Sequence, residues 1–243
     1  MEDRECALGN EAALVCTPWI GFRAIRAVCG AVLIIGALFS TSGCRGTQED
    51  ERSHADPAVD RPGTRTAVIF APGTISTGLN ERDATMSSDG AEFYFTLWAG
   101  GFGTIMVSER EANGWTKPRV ASFSGLHSDL EPFVVPDGSR LVFASTRPTV
   151  RDSSGTDYNI WFVERMQQDW GPPKLVTELA DEEGNEYYPS ESADGVLYFT
   201  AKRTGGTGGE DIWRAIPNAD GYGRIEPVPG GINTGRDEFN AFV

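Results

Sequence analysis

Short apolar runs on either side of one kind of polar break recur along this chain. Ala84-Thr85-Met86 and Phe93-Tyr94-Phe95 flank Ser88-Asp89-Gly90, while Phe133-Val134-Val135 and Leu141-Val142-Phe143 flank Pro136-Asp137-Gly138. The same break follows Pro189-Ser190-Glu191 and precedes Leu197-Tyr198-Phe199, here as Ala193-Asp194-Gly195. Asp-Gly between β-branched and aromatic runs predicts a hairpin, because Gly accepts positive φ and Asp caps the turn. The spacing places second strands at 92–97, 140–145 and 196–201, all aromatic or β-branched in character. Glycine- or serine-rich loops lead to third strands at 104–108, 159–163 and 211–215. These share Ile105-Met106, Ile160-Trp161 and Ile212-Trp213 at one register, which we read as packing between neighbouring units. A turn then carries Trp115, Trp170 or Tyr222, before a short proline-bounded fourth strand around 119–122, 174–177 and 227–228. Proline suits an outer edge, where fewer ladder bonds are required.

The turn aspartates lie 48 and 57 positions apart, so the pattern is an internal repeat of four strands per unit. That is the signature of a β-propeller blade. The predicted fold is all-β, with antiparallel four-stranded blades at 82–122, 130–177 and 187–228 inside a domain at 65–243. Two partial copies bracket them. Ile69-Phe70-Ala71-Pro72-Gly73, within 67–75, matches a fourth strand, and 238–243 matches a first strand. Closed propellers have about 4–8 blades, so these residues are expected to form an incomplete, open arc, cut short or completed by a second chain.

The repeat resembles the TolB-type, WD40-like propeller repeat of bacterial envelope proteins, whose core is Ser-Pro-Asp-Gly between two strands. Pro136-Asp137-Gly138 matches it fully, whereas Ser88-Asp89-Gly90 and Ala193-Asp194-Gly195 lack the proline. The resemblance covers about 67–243 and implies a binding or scaffold module, some members being fused to peptidases. Fold does not dictate chemistry.

The first 44 residues have a different character. The stretch 27–40 (AVCGAVLIIGALFS) carries no charge, follows Arg23 and Arg26, and precedes Thr41-Ser42-Gly43-Cys44. A basic flank, an apolar run too short to span, and small residues predict an export signal over 1–44. Ser42-Gly43-Cys44 resembles a bacterial lipoprotein signal, with Cys44 as the lipidated residue, although Thr41 stands where that motif usually has Leu. The polar, proline-containing segment 45–64 is expected to be a flexible tether. The reading is therefore an exported protein, periplasmic or tethered to the outer membrane through a lipid. All four cysteines (Cys6, Cys16, Cys29 and Cys44) fall in the first segment, so neither disulfide nor thiol chemistry serves the repeats. The net charge is −14, which disfavours nucleic acid as a partner.

Candidate chemistry concentrates ahead of each first strand. Eight positions before the turn aspartate stand Glu81, Asp129 and Glu186, and six before it stand Asp83, Glu131, Tyr188 and, in the last partial copy, Asn240. An innermost strand borders the central opening, so these residues are expected to ring one mouth of it. Arg147, Arg151, Lys202 and Arg203 lie on the facing loops with opposite charge. One reading is a polar site for a peptide, glycan or cation. The other is structural, with the acids capping amides and pairing with the arginines. No Gly-x-Ser-x-Gly, His-Glu-x-x-His or phosphate-loop motif occurs, and His127 is the one histidine of the repeats. No metal site, cofactor or catalytic residue is assigned. A non-catalytic envelope module, binding a protein, peptide or glycan, is the favoured function. A hydrolase or lyase using carboxylates such as Asp83 and Glu131 is the alternative.

Overall fold

The computed structural model describes residues 67–167, 169–180 and 184–243. The export signal, Cys44 and the tether lie outside them. Each Asp-Gly closes a turn as the pattern requires: Gly90, Gly138 and Gly195 have φ of 69°, 71° and 84°. Their amides donate to Ser87, Val135 and Ser192 carbonyls at 2.8, 2.8 and 2.9 Å.

Three antiparallel sheets follow one another in chain order. The first comprises β1 (Asn80–Met86), β2 (Glu92–Ala99), β3 (Phe102–Glu111), β4 (Gly114–Trp115) and β5 (Arg119–Val120). The second comprises β6 (Asp129–Val134), β7 (Arg140–Ser145), β8 (Asn159–Met166), β9 (Asp169–Trp170) and β10 (Lys174–Leu175). The third comprises β11 (Glu186–Glu191), β12 (Leu197–Ala201), β13 (Asp211–Asn218) and β14 (Gly221–Pro227). Within each sheet the first three strands pair in sequence order and the outer strands pair with the third, so each is a blade and the three form a propeller arc.

The outer strands depart from the expectation. In the first two blades the predicted fourth strand is two fragments, β4 with β5 and β9 with β10, both paired to the third strand. Pro118 and the Pro172-Pro173 pair fall in the gaps, where a missing N–H interrupts the ladder. No proline lies between Asn218 and Glu226, and β14 runs unbroken from Gly221, well before the predicted 227–228.

The partial copies also differ from their predicted form. Residues 67–75 make no outer strand: Ala71, at φ 40°, begins a tight turn in which Ile75 N donates to Ala71 O at 2.9 Å. This segment instead covers the outward face of the first blade, with Phe70 stacked on Phe93 at 4.6 Å and Ile75 buried. Residues 238–243 take no strand either, although Glu238 N donates to Glu210 O as Glu186 N donates to Tyr158 O, each at 2.8 Å. The segment enters the inner position of a fourth blade, with no second strand among the described residues to pair with it.

Between blades lie two separate apolar layers. Tyr94, Ile105 and Val107 of the first blade meet Leu141, Phe143 and Val163 of the second. The opposite face of the second blade, with Val142, Ala144 and Ile160, meets Leu197, Phe199, Trp213 and Ala215 of the third. Ile105 and Ile160 of the shared register therefore do pack between blades, and each such side chain contributes about 1.5–3 kcal/mol by leaving water. Polar ties reinforce the seams: Arg165 reaches Glu92 at 2.5 Å, and Arg140 reaches Glu191 at 2.6 Å.

Candidate functional site

Every inner strand carries a bulge at the same place. Asp83 and Ala84 together oppose Phe95, Glu131 and Pro132 oppose Phe143, and Tyr188 and Pro189 oppose Phe199. The first residue of each bulge is left-handed, with φ of 53° at Asp83, 57° at Glu131 and 50° at Tyr188. Asn240 repeats the conformation at φ 62°, with no ladder beside it. Such bulges normally use glycine. Here Asp83, Glu131, Tyr188 and Asn240 take the strained conformation while keeping polar side chains.

The bulges aim these residues into one cavity of about 200 Å³, lined by 83–84, 131–133, 188–190 and 240–242. Glu131 is 5% exposed. Its amide donates to Thr96 Oγ1 at 2.9 Å, and its carboxyl accepts from the Tyr188 amide at 2.6 Å. Burial, with the Asp83 charge adding to it, pushes the Glu131 carboxyl up to about 8, against the opposing pull of the Tyr188 amide and Arg82. Burial likewise raises the Tyr188 hydroxyl. Arg82 Nε donates to Asp83 Oδ2 at 2.6 Å, and Arg82 Nη2 donates to the Tyr188 hydroxyl at 2.9 Å, linking the first blade to the third. Phe239 lies edge-on to Tyr188, and Phe242 edge-on to Phe133.

The predicted ring divides in two. Asp83, Glu131, Tyr188 and Asn240 converge on the cavity. Of the set two residues earlier, Asp129 and Glu186 are buried away from it and committed to arginines. Arg147 is drawn inward from its loop to pair with Asp129, which also accepts from Ser124 Oγ at 2.7 Å. Arg203 lies 3.4 Å from Glu186 and donates to Leu179 O at 2.8 Å. The guanidinium of Arg147 sits 5.1 Å from the Phe143 ring centre, and that of Arg203 5.8 Å from Phe199. These pairs fasten the second strand to the first. In the first blade Ala99 stands in the arginine position, and Glu81 instead accepts from the Thr77 amide at 3.3 Å and from its hydroxyl. The residue that sequence reasoning passed over is Arg82. Its signal is contrast, because its counterparts Leu130, Tyr187 and Phe239 are apolar or aromatic.

No protein-family model matches the chain, and no curated protein matches it. Solved structures similar to it include TolB from Acinetobacter baumannii, at TM-score 0.46 and 19% identity, covering 65% of this chain and 33% of that one. A puromycin-hydrolyzing peptidase from Mycobacterium tuberculosis aligns at TM-score 0.44 and 15% identity, over 66% of this chain and 24% of that one. A putative TolB from Agrobacterium tumefaciens aligns at TM-score 0.34 and 18% identity, over 65% of each. The chain thus spans about a third of the first and a quarter of the second.

Proposed function

We propose that the protein is an exported, membrane-tethered binding module that takes an extended segment of another envelope protein at the inner ends of its blades. The observation that carries this reading is the convergence of four strained, polar, register-equivalent residues on one cavity. Left-handed backbone at residues other than glycine persists where the surroundings over-determine it, and it concentrates at ligand sites. A cavity of about 200 Å³ is smaller than the roughly 300 Å³ at which small-molecule pockets begin. It accommodates one side chain, with the body of the ligand outside, as a peptide would present itself. Carboxyl, phenol and amide groups offer both donors and acceptors. The test is selection from a library of unstructured peptides on the wild type and on Tyr188→Asn, a residue that tolerates the left-handed backbone. The variant should lose about tenfold in affinity for the selected peptides; equal affinity would remove the site from the function.

Export and tethering rest on the 27–40 run and Cys44. Cells fed a labelled fatty acid should label the wild type and not Cys44→Ser, and equal labelling would end the lipid claim. One observation favours a second, hydrolytic reading: Glu131, held as the acid near neutrality, lies beside Asp83 as a candidate base. Turnover of peptides or glycans that disappears in Glu131→Gln would establish that reading over the first.

A further inference from the structure

Arg82 breaks the repeat. Its counterpart Leu130 is buried in the layer between second and third blades, and Tyr187 packs on Tyr158. Arg82 at this register instead turns across the opening to Asp83 and to the Tyr188 hydroxyl, with Nη2 3.8 Å from Glu131 Oε1. The acids are therefore more than a cluster of like charge, since with Tyr188 they already hold a guanidinium supplied by the chain itself.

Holder and held differ in how firmly they are placed. The Glu131 side chain is 5% exposed, whereas that of Arg82 is 36% exposed. An ion pair this open contributes about 0–1 kcal/mol, and ordering an arginine side chain costs up to about 2 kcal/mol. Exchange of this guanidinium for one from outside is therefore close to balanced. The acceptors Asp83, Glu131 and Tyr188 are spread over three blades, a geometry suited to the several fixed donors of a planar guanidinium more than to the point charge of an ammonium. Phe133 and Phe242, in the cavity wall, suit the aliphatic stem of such a side chain. The charge of −14 favours the approach of a cation.

We propose that Arg82 is a built-in occupant of a guanidinium site, and that an arginine side chain of the bound peptide displaces it and takes over its contacts with Asp83, Glu131 and Tyr188. The proposal deepens the peptide-binding reading and rests on it.

The experiment is calorimetric titration of the full chain with N-acetyl-arginine methylamide, beside the neutral, isosteric citrulline compound. Arg82→Ala should bind the arginine probe about tenfold more tightly than the wild type, and the citrulline probe about tenfold more weakly than the arginine probe. Arg82→Gln, which keeps the length of the side chain, is measured alongside and should show the same gain, so a folding defect in the alanine variant does not decide the outcome. Equal affinity of wild type and variants for the arginine probe overturns the proposal, as does equal binding of the two probes. Peptide selection separates it from the reading beneath. Selected peptides sensitive to Tyr188→Asn but not enriched in arginine overturn the arginine site alone, and peptides insensitive to Tyr188→Asn overturn both.

Discussion

A left-handed backbone is open to glycine and costs other residues about 1–2 kcal/mol, with Asn and Asp the most tolerant. Asp83 and Asn240 fit that tolerance, but Glu131 and Tyr188 do not, and both hold the conformation at φ of 57° and 50°. At Glu131 the strain is joined by a second unfavourable term, burial of an acid. Its carboxyl is raised from 4.5 to about 8, chiefly by desolvation. The folded state therefore prefers the protonated acid. The associated stability is fully present below pH 4.5 and is lost as pH rises through about 8. Glutamine at 131 stays neutral and keeps a carbonyl for the Tyr188 amide. Urea unfolding should give Glu131→Gln and wild type similar stability at pH 4.5. By pH 9 the variant should be the more stable by about 4 kcal/mol. A gap that does not widen with pH would mean that Glu131 ionises freely in the fold. The register told which residues share this position, because a repeat carries Asp83, Glu131, Tyr188 and Asn240 to equivalent places whatever the backbone does. Which of the acidic residues turn inward was not legible. That depends on a bulge whose local trace, Pro132 and Pro189 after the left-handed residue, is missing at Ala84 and Ala241.

At the scale of the strand, one register position meets two fates. Asp129 and Glu186 pair with Arg147 and Arg203, which leave the ends of β7 and β12 and fold back over Phe143 and Phe199. Glu81 meets no arginine, since Ala99 stands there, and it caps Thr77 instead. Removing Asp129 would strand the charge of Arg147, whose side chain is 9% exposed. A buried charge without its partner costs about 3–5 kcal/mol. Asp129→Ala should lose that much in denaturant unfolding, whereas Glu81→Ala, near the surface, should lose less than about 1 kcal/mol. Equal losses would show that the buried pair contributes no more than the cap. The second and third strands were legible because alternation and the Asp-Gly turns are local. The outer strands were less so, since Pro118 and the Pro172-Pro173 pair split two of them while Gly221–Pro227 stays whole. Residues 67–75 read as a strand because they match the fourth-strand position of the repeat, but Pro72 and Gly73 turn the chain, and Phe70 stays exposed while stacking on Phe93.

Across the whole arc, coupling is between neighbours. The apolar layer joining the first and second blades shares no residue with the layer joining the second and third. The ladder of β6, β7 and β8, whose opposite faces supply both layers, connects them through the core, and Trp98 of the first blade also packs against the second layer. Arg82 adds one polar contact across the opening, through the Tyr188 hydroxyl. A molecule assembled this way behaves as a row of units with interface terms, and its end units open before the middle one. Phe199 is fully buried in the second layer and touches nothing in the first. Phe199→Ala should therefore cost about 3–5 kcal/mol at one seam only. Hydrogen exchange read by mass spectrometry should show protection falling across 186–227, and in the 238–243 segment that leans on Tyr188 and Ser190. Amides of β2, β3, β7 and β8 should keep theirs. A uniform fall over all three blades would mean that the ladder of the middle blade passes the loss on in full. The arc would then unfold as one cooperative unit, and not as a row of neighbours.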